Sequence, residues 1–138
     1  MSDREEIQDL LTRYSYSISV RDFETVATLF TPDATWELFG HPEMKTRFAG
    51  PTLPEGIKSI VVPTSSLIQM PSPALIEVKG DRATTAFTVN ESGDMKSTNQ
   101  YFCMFGRYND EVVKVKGKWL FQARRFTILN LRMTPLNP

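Results

Sequence analysis

His41 is the only histidine in the sequence, and so the only side chain whose unperturbed pKa suits proton transfer near neutral pH. It stands in a Gly40-His41-Pro42 run, where a surface loop position is the default and a catalytic one the alternative. Tyr14 lies on an apolar stripe. It is either a packed ring with a satisfied hydroxyl or a donor to a substrate oxygen. Trp36, Phe87, Tyr101 and Phe105 fall on strand-like segments; they are expected to line an apolar pocket or, as strand aromatics more often do, to fill a core. Asn90, at a strand end, belongs at the pocket mouth or in a turn. Asp110 could pair with Arg124 or Arg125 across a hairpin, and only a pair buried inside the fold would suggest carboxylate recognition. Cys103 alternates with Tyr101 and Phe105 and reads as a buried small hydrophobe. One histidine and one cysteine leave a zinc site dependent on carboxylates that show no ligand spacing. Neither a phosphate-cradling glycine loop nor a Gly-x-Ser-x-Gly elbow is present, so no metal and no cofactor is expected.

The elements that must hold these residues follow from periodicity. Ser2-Asp3-Arg4-Glu5 has capping-box spacing, and Ile7, Leu10, Leu11, Tyr14 and Ile18 recur at helical intervals, which predicts a helix to about Val20. Asp22 caps a second helix with the stripe Phe23, Val26, Ala27 and Phe30, stopped by Thr31-Pro32-Asp33. Ala34 to Phe39 reads as a strand, His41 to Pro54 as a loop, and Leu53 to Val61 as a short third helix. Pro63, Pro71 and Pro73 frame the next connection. Ala74-Ile76-Val78 and Ala83-Thr85-Phe87-Val89 alternate as two strands joined at Lys79-Gly80-Asp81. Glu91 to Asn99 reads as a polar loop. Tyr101 to Val115 is a long strand turning at Lys116-Gly117-Lys118 into Trp119 to Asn130, before a frayed Thr134 to Pro138. Helices first and an antiparallel meander after exclude a doubly wound parallel sheet. Helices laid on a strongly curved sheet leave a concavity they cannot fill, so a pocket is expected.

A chain of 138 residues fits one domain spanning 1–138 with a sizeable core. Sixteen basic and sixteen acidic side chains cancel, so nothing steers a polyanion, and no nucleic acid or anionic membrane partner is expected. The first residues are charged, no apolar run reaches the ~18 residues of a membrane span, and a lone cysteine cannot form an internal disulfide. A soluble cytoplasmic protein is expected.

Three stretches together resemble the SnoaL-like branch of the nuclear-transport-factor-2-like (NTF2-like) superfamily. The first is Arg13-Tyr14 with Arg21-Asp22-Phe23 and Leu29-Phe30-Thr31-Pro32-Asp33-Ala34-Thr35-Trp36. The second is Ile76-Glu77-Val78-Lys79-Gly80-Asp81-Arg82-Ala83. The third is Gly106-Arg107-Tyr108-Asn109-Asp110 with Gly117-Lys118-Trp119 and Arg124-Arg125. Their order and spacing cover nearly the whole chain. The resemblance implies an α+β cone, N-terminal helices packed on a strongly curved, mainly antiparallel sheet, often paired as a homodimer through the sheet. It implies a hydrophobic small-molecule ligand and relatives such as scytalone dehydratases, polyketide cyclases, bile acid dehydratases, isomerases and the small subunits of ring-hydroxylating dioxygenases.

The dehydratase pattern in such proteins places a tyrosine on the first helix, an aspartate five residues later and a histidine entering the meander. Tyr14 matches the tyrosine, but Ser19 stands at the aspartate place and Gln69 at the histidine place. A carboxylate–imidazole pair abstracts protons near neutrality, whereas serine and glutamine only exchange hydrogen bonds. Two readings therefore stand: a cofactor-independent lyase or isomerase in which Tyr14 donates while Ser19 and Gln69 orient substrate or water, and a non-catalytic ligand-binding or assembly module. An oxygenase accessory subunit is a third.

Overall fold

Ser2 opens the first helix by the reciprocal capping that its spacing to Glu5 predicts. Its hydroxyl accepts from the Glu5 N–H at 3.2 Å, and the Glu5 carboxylate accepts from the Ser2 N–H at 2.8 Å. The computed structural model describes residues 1–136. Helix α1 spans Asp3–Ser19 and buries Ile7, Leu10, Leu11, Tyr14 and Ile18. Each such side chain contributes about 2 kcal/mol, so burial rather than propensity holds the helix to the sheet. Asp22 caps α2 (Phe23–Ala27) through the Thr25 N–H at 3.1 Å. Helix α3 occupies Leu53–Val61 after a short 3-10 turn, as the sequence predicts.

Among the described residues seven strands form one sheet: β1 (Phe30–Phe39), β2 (Thr46–Ala49), β3 (Thr64–Pro71), β4 (Leu75–Lys79), β5 (Arg82–Met95), β6 (Gln100–Val115) and β7 (Lys118–Pro135). Their order is β2-β1-β7-β6-β5-β3, with β4 also on β5. Only β1 with β7 is parallel; every other pair is antiparallel. Lys116 and Gly117 both take positive φ, 51° and 80°, as a two-residue type I′ hairpin turn needs. The long strands curl around the helices without closing, and the core lies between.

The structure departs from the sequence reading in several places. The second helix stops at Ala27, and Phe30 to Asp33 joins β1, because Leu29 accepts from the Phe121 N–H at 2.8 Å and draws the chain onto β7. The supposed loop after β1 contains β2. The proline-framed connection is the edge strand β3, with Pro71 at its end, where the missing N–H costs no ladder bond. The supposed polar loop from Glu91 is a continuation of β5 to Met95, paired to β3 on one side and β6 on the other. Gly93 permits this: a Cβ there would collide with the Ser66 carbonyl of β3. Thr134 and Pro135 belong to β7, while residues 137 and 138 of the supposed frayed tail lie outside the described residues.

Candidate active site

The inner face of the curled sheet and the two longer helices enclose a cavity of about 200 Å³. Tyr14 and Ile18 of α1, Ile57 and Val61 of α3, Trp36 of β1 and inward side chains of β3, β5, β6 and β7 line it. The wall is almost wholly apolar. Its polar exceptions are Tyr14, Trp36, Thr64, Gln69, Glu91 and Tyr108. Four methionines, Met44, Met95, Met104 and Met133, also line it, adding soft, deformable surface.

Glu91 is the group the sequence reading missed. Strand alternation carries it inward, two residues beyond Val89, into a position only 9% exposed. Burial raises its carboxyl from the ordinary 4.5 to about 7, against the opposing effect of a hydrogen bond donated by Gln69 Nε2 at 2.6 Å. A carboxylate so tuned is half ionised at neutral pH and suited to taking a proton from carbon. The alternation Ala83-Thr85-Phe87-Val89, extended one step, would have named it.

Tyr14 faces the same cavity. Burial pushes its hydroxyl up to about 12, although the nearby Arg124 guanidinium and the polar groups of Tyr108 and Trp36 pull the other way. It therefore remains a protonated donor throughout the working pH range. Beneath it, Arg124 lies 4.3 Å from the Tyr14 ring centroid and 3.8 Å from that of Tyr108. Its guanidinium donates to both carboxylate oxygens of Asp110, at 2.9 and 3.1 Å, and Thr85 completes the group at 2.9 Å. Burial raises the Asp110 carboxyl with Arg124 opposing. For the arginine, burial disfavours the charge, but Asp110 together with Tyr108 and Tyr14 outweighs it, so the guanidinium stays ionised. The pair is inside the cone, yet neither residue lines the cavity. It packs under the aromatic cluster rather than facing a ligand.

The residues expected from sequence divide by strand parity. Tyr14, Trp36 and Gln69 meet at the cavity. Ser19 sits next to Gln69 but its hydroxyl is committed, donating to the Ser15 carbonyl at 2.8 Å and accepting from the Gln69 backbone N–H at 3.0 Å. Phe87 points inward but packs behind the cavity against Tyr108, with centroids 5.4 Å apart. Tyr101 and Phe105 are 41% and 48% exposed on the outer face, because Phe102, Met104 and Tyr108 take the inward positions of β6. Asn90 and Cys103 share that outer face, half-buried, with Sγ 3.8 Å from the Asn90 Oδ1. His41 lies away from the cavity and accepts through Nδ1 from the Glu43 N–H at 3.2 Å, closing the turn after β1. Arg125 is a partly exposed outer-face partner of Glu111 at 3.7 Å. Among the described residues no three His, Cys, Asp or Glu side chains are grouped as metal ligands, and no helix is long and apolar enough to cross a membrane.

A helix-covered, curled sheet around a largely apolar cavity with a few polar groups in its wall defines the cone-shaped class of small-molecule-pocket folds. Within that class the chain belongs to the SnoaL-like domain family, which it matches over residues 1–125. No functionally curated protein shows a significant match. Among solved structures, LinA is 24% identical, with 97% of this chain and 89% of that chain aligned at a TM-score of 0.81. A candidate aromatic ring hydroxylase from Novosphingobium aromaticivorans is also 24% identical, covering 96% of this chain and 93% of that one at 0.81. A candidate scytalone dehydratase from the same organism is 21% identical, covering 99% and 94% at 0.80. These likenesses establish the NTF2-like fold.

Proposed function

We propose that the protein is a cofactor-independent lyase or isomerase of a small, hydrophobic, oxygenated ring compound, with Glu91 as the base and Tyr14 as the donor to the substrate oxygen. The observation that carries this reading is a carboxylate poised near neutral pH in a largely apolar cavity, lining it together with a phenol that stays protonated. The base expected at the Ser19 and Gln69 places is supplied instead from β5. Glu91 takes the proton from carbon next to a carbonyl, the electron pair moves onto the carbonyl oxygen, and the Tyr14 hydroxyl stabilises the charge that develops there. Where a β-hydroxyl is present the enolate expels it, the proton held by Glu91 completes the departing water, and an enone remains. Without a leaving group, return of the proton to a different carbon isomerises the substrate. Structural neighbours that carry the names dehydratase and dehydrochlorinase are in keeping with elimination.

The test needs no knowledge of the natural substrate. Exchange of the C2 protons of 1-tetralone in D2O, read by mass spectrometry, reports proton abstraction, and 3-hydroxy-1-tetralone reports loss of water. The expected result is exchange that rises through about pH 7, falls ~100-fold or more in Glu91→Gln and by a similar factor in Tyr14→Phe. An undiminished rate in Glu91→Gln would overturn the assignment of the base. If the wild-type protein processed neither compound, the binding-module reading would replace this one. Pairing with a second copy through the outer sheet face is part of the same proposal, supported by Ile68, Met70, Phe105 and Leu129, which are 48–65% exposed there.

A further inference from the structure

Two polar atoms in the cavity wall have no partner. Trp36 Nε1 is a donor and Gln69 Oε1 an acceptor; both are fully buried and neither makes a hydrogen bond. A third, Arg124 Nη1, lies behind the wall against the aromatic rings and does not line the cavity. Gln69 Nε2 is held by Glu91, its backbone N–H by Ser19, and the other tryptophan's N–H, at Trp119, donates to Asp3 Oδ1 at 2.9 Å. The ionised Glu91 carboxylate only accepts, so in that form it fixes which end of the Gln69 amide turns toward it and leaves the oxygen facing away. Buried polar groups normally find partners, and an orphaned pair in a cavity wall is complementary to a ligand that brings the missing ones. Among the described residues no lysine, arginine or histidine lines the cavity, so nothing there balances an anionic ligand, and Glu91 repels one.

We infer that Trp36 and Gln69 determine specificity, selecting an uncharged ligand that presents a carbonyl-type acceptor to the Trp36 N–H and a hydroxyl or N–H donor to Gln69 Oε1. The inference rests on the cavity being the ligand site, as in the function proposed above, but concerns binding rather than proton transfer. Trp36 and Tyr14 line the same cavity. With a cavity of about 200 Å³, below the ~300–1,000 Å³ of pockets for drug-sized ligands, a one- or two-ring compound is the appropriate size.

The chain has two tryptophans, hence two indole N–H signals in a ¹⁵N–¹H correlation spectrum, and Trp119 serves as an internal control. Titration with 1-tetralone is expected to move the Trp36 indole proton downfield and leave Trp119 in place, whereas tetralin, the same bicycle without oxygen, gives no downfield shift. Calorimetry should show 1-tetralone binding ~10-fold tighter than tetralin, one of its hydroxy isomers ~10-fold tighter again, and 1-tetralincarboxylic acid more weakly than the ketone. Trp36→Phe should bring the ketone-to-hydrocarbon ratio near one. Should that variant fail to fold, the wild-type spectrum decides alone. Equal shifts or equal affinities for ketone and hydrocarbon overturn the Trp36 assignment. Lack of any hydroxy isomer tighter than 1-tetralone overturns that of Gln69, and an acid that matches the ketone overturns neutrality. The two proposals fail separately: deuterium exchange that persists in Glu91→Gln defeats Glu91 as base and leaves the binding ratios, which are read on the wild-type protein, as they are, and flat wild-type ratios leave exchange intact.

Discussion

Glu91 stores free energy that the fold would otherwise keep. In the unfolded chain its carboxyl titrates near 4.5, in the folded protein at about 7. The unfolded state therefore releases its proton first as pH rises. Its effect on stability is absent below about 4.5, grows between 4.5 and 7, and persists above 7, where a shift of this size costs about 3 kcal/mol. Glu91→Gln is accordingly expected to melt higher than wild type at pH 8 and to lose most of that advantage at pH 4, measured by thermal melts across the range. A constant difference at all pH values would mean that Glu91 titrates normally. In the neighbouring Asp110–Arg124 pair the charges meet in a two-pronged hydrogen-bonded contact through Nε and Nη2, while Nη1 lies unpaired among the aromatic rings. Sequence alone points to Tyr14, Trp36 and Gln69 but not Glu91. The run Glu91-Ser92-Gly93-Asp94 has the composition of a turn, and only pairing on both sides reveals it as strand.

Strand β3 is the element on which the site's polar end depends, and it is held on one side only, by β5. Arg21 holds its start through Thr64, and Ser19 holds its middle. By accepting from the Gln69 N–H at 3.0 Å while donating to its own helix, it ties the edge strand to α1 and fixes the residue that bonds Glu91. Ser19→Ala leaves that amide without its partner. It should destabilise the protein by about 1 kcal/mol, speed hydrogen exchange at Gln69 more than in β6, and reduce turnover less than Glu91→Gln does. A turnover loss as deep as that of Glu91→Gln, with Gln69 exchange unchanged, would instead make Ser19 a participant in the chemistry. The helices were legible because caps and 3.6-residue stripes are local signals: Ser2 with Glu5, and Leu53 through Ile57 to Val61. Strand β3 was not, because Thr64-Ser65-Ser66 is polar and prolines bracket it. Its strand character comes from the partner it pairs with, not from its own residues.

Over the whole molecule, the curl of the sheet gives its two faces different tasks through the two-residue alternation of each strand. On β6, Phe102, Met104 and Tyr108 build the cavity while Tyr101 and Phe105 face out. Reading Tyr101 and Phe105 as pocket residues was an error of one position in register, which inverts every side chain of a strand. The outward set is itself informative. Phe105 of β6 lies opposite Asn90 of β5, which lies opposite Met70 of β3, so Met70 and Phe105 share one exposed face; Leu129, exposed at the register shift of β7, adjoins Asn130, which pairs with Phe105. Monomers rarely leave a broad apolar patch in water, and a two-fold pairing would cover the same patch on both copies. Phe105→Lys combined with Leu129→Lys places like charges in that interface and should reduce the mass measured by light scattering from that of a dimer to that of a monomer. Since neither side chain touches the cavity, deuterium exchange from 1-tetralone should continue at the wild-type rate. A wild-type protein already monomeric would remove the interface, and a double variant that lost exchange along with association would mean that the two faces do not act independently.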